Sequence, residues 1–303
     1  MIKHTFLSIF FLAIVALGLF LLPSARPVME SGTVSDTASW NNSHKIFNPP
    51  LPVKADFCGE PVPFNLFYVK EGVEREIVVN TFWHSNTMLL LKRAARWLPE
   101  VEATLKKKGV PDDIKYLLFI ESGFDHLVSP AGAAGYWQLL DKTAKEYGLE
   151  VNENVDERYH LVKSTEAACK YLKKAYGKFG SWTLAAASYN TGMKRVEEEI
   201  AQQGTSNFYE LLFSNETTRY INRIIAIKEI YRSYPKYGYN LSPSDLYQPV
   251  ALKPVKVTQT ITRLEDFARE NKTTLRMIKY FNPWLRSRTL PVPEGKSYTV
   301  FIP

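Results

Sequence analysis

Apolar residues first gather in an unbroken run from Phe6 to Leu22, behind the short basic start Met1-Ile2-Lys3-His4 and ahead of Pro23-Ser24-Ala25-Arg26-Pro27. Residues 26 to about 55 are rich in Ser, Thr, Asn and Pro and carry little periodicity, which predicts an extended linker over 26–60. Between Val62 and Val79 short apolar runs are broken by charge, and no element is assigned there. From Asn80 to Lys108 the positions Leu89, Leu90, Ala94, Trp97, Leu98, Val101 and Leu105 recur at helical spacing, and Lys108-Gly109 supplies a stop. Val110-Pro111-Asp112-Asp113 then opens a second helix, with proline in its first turn and acids facing the positive end of its dipole, running to Glu121. Helical patterns return at 142–147, 164–179, 182–189, 194–202 and 216–234, separated by glycines. After Pro243 the texture changes: strand-like Val255-Lys256-Val257 and Tyr298–Ile302 flank helical stretches near 264–269 and 274–281. The fold class predicted is mainly α, a compact helical domain followed by a small α+β module of order βααβ.

The 303 residues suffice for about two domains, and the 45% apolar content can build a real core. Residues 1–25 read as a signal peptide or an N-terminal membrane anchor, so the chain is expected to be exported to the periplasm or cell envelope, with membrane association through residues 6–22 as the anchored alternative. In that compartment Cys58 and Cys169 are a candidate disulfide, and two separate buried thiols are the equal alternative. The net charge of +7 is unevenly placed, since residues 251–303 hold ten Lys/Arg against four Asp/Glu. A basic terminal module on an exported chain suits an anionic polymer such as a cell wall, and export argues against a nucleic acid partner. The five histidines show no metal-ligand spacing, and no cofactor is expected.

Ile114, Leu117, Leu118 and Glu121 share one helix face. A carboxyl on a buried face loses solvation, its pKa rises toward neutrality, and it becomes suited to protonating a glycosidic oxygen. Spacing alone leaves this reading balanced against a glutamate that ends its helix with the charge in water. Downstream, Ser129-Pro130-Ala131-Gly132-Ala133-Ala134-Gly135-Tyr136-Trp137-Gln138 combines small residues, which allow close backbone approach, with a flat apolar ring and an amide suited to sugars. Ala187-Ser188-Tyr189-Asn190-Thr191-Gly192 ends an Ala-rich helix in a Tyr-Asn pair. Each of the two segments has a bland alternative, a Gly/Ala turn beside a core Trp and a C-capping turn beside a buried Tyr.

Glu121-Ser122, then Gly135-Tyr136-Trp137-Gln138, then Tyr189-Asn190-Thr191-Gly192, in this order, resemble the catalytic domain of the lytic murein transglycosylases of the soluble-transglycosylase, lysozyme-like type. Trp137, the segment Glu216–Ile221 and Trp97-Leu98-Pro99 look most like the membrane-bound transglycosylase D branch, and the likeness covers roughly residues 60–235. The resemblance implies a lysozyme-like helical domain over 61–240 with its catalytic core at about 96–205. It implies Glu121 as single acid/base, Ser122 polarising or positioning the site, and a substrate-binding set of Ser122, Gly135, Trp137, Gln138, Tyr189, Asn190 and Tyr220. It implies cleavage of the MurNAc-β-1,4-GlcNAc bond of peptidoglycan glycan strands with closure of a 1,6-anhydro ring, and no water consumed. Ser188 departs from the family, where Ala is usual.

Ordinary glycosidases need two carboxylates. Asp125 and Asp141 are the nearest further acids, so a hydrolase using Asp125 to hold water is the first alternative, and a non-catalytic peptidoglycan-binding scaffold the second. Residues 250–303 resemble a LysM peptidoglycan-binding domain through Asn282-Pro283 and the Pro293-Glu294-Gly295-Lys296 turn, although Thr260-Ile261-Thr262-Arg263-Leu264 replaces its usual Gly-Asp-Thr-Leu.

Overall fold

The structure, a computed structural model, describes residues 46–303. The segment read as signal peptide or anchor therefore lies outside the described residues. Among the described residues no helix is long and apolar enough to cross a membrane.

The ordered core begins before the linker was expected to end. Asp56–Phe57 (β1) pairs antiparallel with Glu60–Pro61 (β2), and Phe57 is fully buried. Two charges lock this hairpin down. The buried Lys228 ammonium donates to the Asp56 carbonyl, to Asp56 Oδ1 and to Asp113 Oδ2 at 2.8, 3.0 and 2.8 Å. Glu60 accepts from Ser181 Oγ, Thr183 Oγ1 and the backbone N–H groups of Trp182 and Thr183, so its carboxylate caps a helix N-terminus that would otherwise present unpaired donors. Residues 55–60 are thus a clamp on the core rather than linker; the side-chain partners of Asp56 and Glu60 on Lys228 and at residues 181–183 lie more than a hundred residues away, beyond any local pattern.

The unassigned stretch forms the helix Phe67–Phe82 (α1). Its buried face is Val69, Val73, Glu76 and Ile77, and the charge within that stripe is what broke the apolar pattern. Glu76 is tolerated there because Arg219 reaches its Oε1 at 2.8 Å and Arg223 its Oε2 at 3.7 Å. Next comes His84–Lys108 (α2), which buries Leu90, Leu91, Ala94, Leu98, Val101 and Leu105 and ends at Gly109 in the left-handed conformation, with three lysines in its last turn. A 3-10 turn at Asp112–Lys115 leads into Tyr116–Glu121 (α3). The remaining helices of this domain are Asp141–Glu146 (α4), Leu161–Phe179 (α5), Trp182–Thr191 (α6), Met193–Gln203 (α7) and Asn215–Arg232 (α8), each within a few residues of its predicted range.

In α6 every residue from Thr183 to Ser188 is buried, and its run of alanines lets α5 and α8 approach closely on either side. Helix α8 also packs against α1 and α3, and this contact carries Tyr220 to the end of α3. At Ser188, the Oγ donates back to the Ala185 carbonyl at 2.7 Å, satisfying the hydroxyl inside the core. The cysteines form no disulfide: Cys58 sits in the β1–β2 turn with its N–H on Asp113 Oδ2, and Cys169 faces the core from α5. Burial raises both thiol pKa values, that of Cys169 to about 12.

The C-terminal module is Lys253–Val257 (β3), Leu264–Glu270 (α9), Leu275–Phe281 (α10) and Tyr298–Ile302 (β4), with β3 and β4 antiparallel in a register from Lys253 opposite Ile302 to Val257 opposite Tyr298. Asn282 explains the Asn-Pro marker. Fully buried, its amide donates to the Ile278 and Phe301 carbonyls and accepts from the Phe301 N–H, pinning the end of α10 to β4. The expected class, a mainly α domain with a small βααβ module, is the one observed.

Candidate active site

Glu121 is the last residue of α3 and is partly buried. The chain leaves the helix there because Ser122 departs from helical values, at φ −129° and ψ −16°, and Gly123 and Phe124 follow at φ 58° and 63°. Ser122 is buried and holds this exit, donating from Oγ to the Tyr136 carbonyl at 2.7 Å and accepting from the Phe124 N–H at 3.2 Å. It positions the site from below and has no face open to a ligand.

Burial pushes the Glu121 carboxyl up to about 7; the hydrogen bond from Tyr220 opposes this and the Glu216 charge adds to it. Tyr220 donates to Glu121 Oε1 at 2.5 Å. Burial and the neighbouring Glu121 hold the phenols of Tyr220 and Tyr189 well above their ordinary range, so both stay proton donors. Tyr189 spends its hydroxyl on the Trp137 carbonyl at 2.7 Å, and Asn190 Oδ1 accepts from Thr217 Oγ1 at 3.0 Å.

Tyr189, Asn190 and Gln138 line a cleft of about 460 Å³ with Leu139, Tyr171 and Met193. Gln138 reaches it from a left-handed backbone, φ 48°, costly for a residue with a Cβ, and its Nε2 donates to the carbonyls of Leu127 and Gly135 at 3.0 Å each. Gly135 is indispensable to that turn: at φ 77° a Cβ would stand 2.0 Å from the Arg158 carbonyl oxygen. Buried and without a side chain, it meets the cleft residues only through its backbone, whose carbonyl accepts from Gln138. Trp137, expected to present a flat face to sugar, has no exposed surface; its indole N–H donates to Thr165 Oγ1 at 2.8 Å and its ring packs against Tyr189. What Trp137 gives the site is its carbonyl. The aromatic wall comes instead from Tyr189, Tyr171 and Tyr147, whose rings follow edge to face at 5.3 and 5.7 Å.

Neither acid proposed as a second carboxylate stands beside Glu121 in its electrostatics. Asp125 is exposed and paired with Arg93 at 3.4 Å, and Asp141 with Lys145 at 2.9 Å. The acid whose charge acts on Glu121 is Glu216, one turn before Tyr220 on α8. Tyr171 had no functional signal of its own in the sequence, sitting on a helix whose face is defined by packing. Glu216 opened the segment Glu216–Ile221 that carried part of the resemblance, one turn from Tyr220, but was given no role of its own.

Residues 100–212 match the family model described as Transglycosylase SLT domain, and residues 253–303 match that of the soluble lytic transglycosylase C-terminal LysM-like domain. Over 238 residues the chain is 28% identical to the membrane-bound lytic murein transglycosylase D of Escherichia coli strain K12, and to its counterpart in strain O6:H1. Each match covers 77% of this chain and 51% of the relative, so the chain spans about half the length of these proteins. Among solved structures, the 70 kDa soluble lytic transglycosylase of E. coli is 17% identical with a TM-score of 0.41, covering 62% of this chain and 36% of that one.

Proposed function

From a chain that carries a transglycosylase SLT domain and a LysM-like C-terminal domain and is homologous to membrane-bound lytic murein transglycosylase D, we propose a peptidoglycan lytic transglycosylase in which Glu121 is the single acid/base. The observation that carries this reading is the Glu121 carboxyl itself: desolvated, raised to about 7, hydrogen-bonded by Tyr220, and acting electrostatically on Tyr189, a residue that lines the cleft.

At neutral pH such a group is divided between its acid and its base form, which a two-step scheme with one carboxyl requires. Protonated Glu121 gives its proton to the oxygen between MurNAc and GlcNAc. That C–O bond breaks as the MurNAc acetamido oxygen attacks C1, giving a cyclic oxazolinium ion and a GlcNAc hydroxyl. The Glu121 carboxylate then takes the proton of the MurNAc 6-hydroxyl, O6 attacks C1, and the oxazolinium ring opens. The product is 1,6-anhydro-MurNAc, Glu121 regains its proton, and no water is consumed. Gln138 and Asn190 are the polar side chains of the cleft suited to saccharide, with Tyr189 as its apolar face. The C-terminal domain offers a basic surface to the wall polymer, and residues 1–25 an export or anchoring segment that places the enzyme in the envelope.

Digestion of purified sacculi with mass spectrometry of the new ends tests the reading. Anhydro ends are expected, together with a loss of about 100- to 10,000-fold in Glu121→Gln while sacculus pelleting persists. Reducing ends would assign a hydrolase, and comparable lysis by the variant would remove Glu121 from the chemistry.

A further inference from the structure

Arg158 joins two parts of the molecule. Asp156 grips its guanidinium, Nε to Oδ1 at 2.9 Å and Nη2 to Oδ2 at 2.7 Å. From that fixed place Nη1 donates to the carbonyls of Gly132 and Leu139 at 3.0 and 3.3 Å, which bracket the turn carrying Gln138. The Arg158 carbonyl meanwhile closes against Gly135 so tightly that no Cβ fits between them. The turn contains three left-handed residues, Gly132, Gly135 and Gln138. A backbone of this kind persists only where its surroundings over-determine it.

Those surroundings belong in large part to the C-terminal domain. The Asp156 N–H donates to the Trp284 carbonyl at 2.9 Å and the Arg286 N–H to the Asn154 carbonyl at 2.8 Å, while Val155 and Leu285 form an antiparallel bridge. Ser287 Oγ donates to Asn154 Oδ1 at 2.8 Å, and the Arg286 guanidinium stands 4.2 Å from the centre of the Tyr159 ring. Ala134, from the turn itself, is buried in one apolar cluster with Val155, Tyr159, Leu285 and Val300. A module that could hang from a tether is instead a wall of the segment behind the cleft.

We propose that the C-terminal domain is a positioning element of the active site, holding residues 154–159 so that Arg158 and Ala134 keep the 132–139 turn in the shape that presents Gln138 to the cleft. This rests on the reading above only in taking Gln138 as a saccharide contact. A domain that merely retained the enzyme on the wall would affect insoluble sacculi and leave soluble glycan strands untouched.

The test compares full-length Arg286→Ala, Arg286→Lys and Asn154→Ala/Ser287→Ala with the unaltered chain, after thermal melts establish that each is folded. Amide hydrogen exchange is read across the 132–139 turn, kcat/KM on soluble uncross-linked glycan strands, and pelleting on sacculi. Arg286→Ala is expected to speed exchange locally in the turn and to lower kcat/KM about tenfold with pelleting retained, and Arg286→Lys, which keeps a cation over Tyr159, to restore most of both. If Arg286→Ala fails to fold, the Asn154→Ala/Ser287→Ala chain is expected to show the same two changes in smaller measure. Unchanged exchange in the turn in every folded variant overturns the proposal. That readout needs no turnover, so it decides the point even if the chain releases no anhydro products, an outcome that would instead overturn the proposed chemistry.

Discussion

Tyr220 donates its phenolic hydrogen bond to Glu121 Oε1 at 2.5 Å across 99 residues of sequence. The bond joins the end of α3 to the middle of α8, and it acts against the desolvation that raises the Glu121 pKa. A bond to the charged form makes the carboxyl a stronger acid than burial alone would leave it.

Tyr220→Phe should therefore move the pH profile. In the proposed scheme the first step needs protonated Glu121, so kcat/KM is expected to fall as pH rises through about 7. Without the phenol the carboxyl titrates higher, and the alkaline limb should shift upward by about one pH unit, the worth of one hydrogen bond to a charged group. A downward shift in the pH–rate profile would mean that Tyr220 raises rather than lowers the pKa.

Glu121 also carries a stability cost with a definite sign. Its pKa rises from 4.5 to about 7 on folding, so between those values the native state binds more protons than the unfolded one, and stability is lost as pH rises through that window. Above the window the cost is on the order of 3 kcal/mol. Glu121→Gln, which has no charge to bury, should be more stable than the native sequence at pH 8, and the advantage should vanish near pH 4. Urea midpoints at the two pH values measure it; an advantage of equal size at both would show that packing rather than ionisation is responsible.

Gly135 and Gly132 separate strain from collision. Both have φ near 80°, but a Cβ at Gly132 meets open space and one at Gly135 meets the Arg158 carbonyl at 2.0 Å. Gly132→Ala should cost about 1 kcal/mol, the price of a left-handed residue with a side chain. Gly135→Ala should cost roughly 1–3 kcal/mol more, because backbone must move. Thermal melts of the two variants give the comparison, and Gly135→Ala should also lose most lytic activity as the Gln138 turn shifts.

The helices were legible wherever their buried faces are purely apolar. In α2 five of the recurring positions, Leu90, Ala94, Leu98, Val101 and Leu105, are buried, while Leu89 is exposed and Trp97 half-buried at the margins of that face. In α1 the same periodicity was hidden, because Glu76 occupies a core position and is neutralised by arginines from α8. The β1–β2 hairpin was hidden for a related reason, its anchors being Lys228 and the N-terminus of α6. A local window cannot see a charge compensated from another part of the chain.

Within the proposed site, Glu121, Gln138, Tyr189, Asn190 and Tyr220 were legible through the ordered motifs and the family they resemble. Their division of labour was not. Trp137 has the composition of a sugar platform and lies in the core, Ser122 and Gly135 shape the backbone, and Tyr171 and Glu216 enter from helix positions to which no motif gave a role.

The sequence by itself determined the class of fold and, through motifs that resemble a family, pointed to Glu121 as the proposed acid, since helical periodicity and motif order are properties of short stretches. Only the tertiary structure decided which face of each residue meets the cleft, and that the C-terminal domain is packed behind it. Burial, and with it the raised pKa of Glu121 and the fixed place of Arg158, is a property of what surrounds a group, and here those surroundings come from distant parts of the chain.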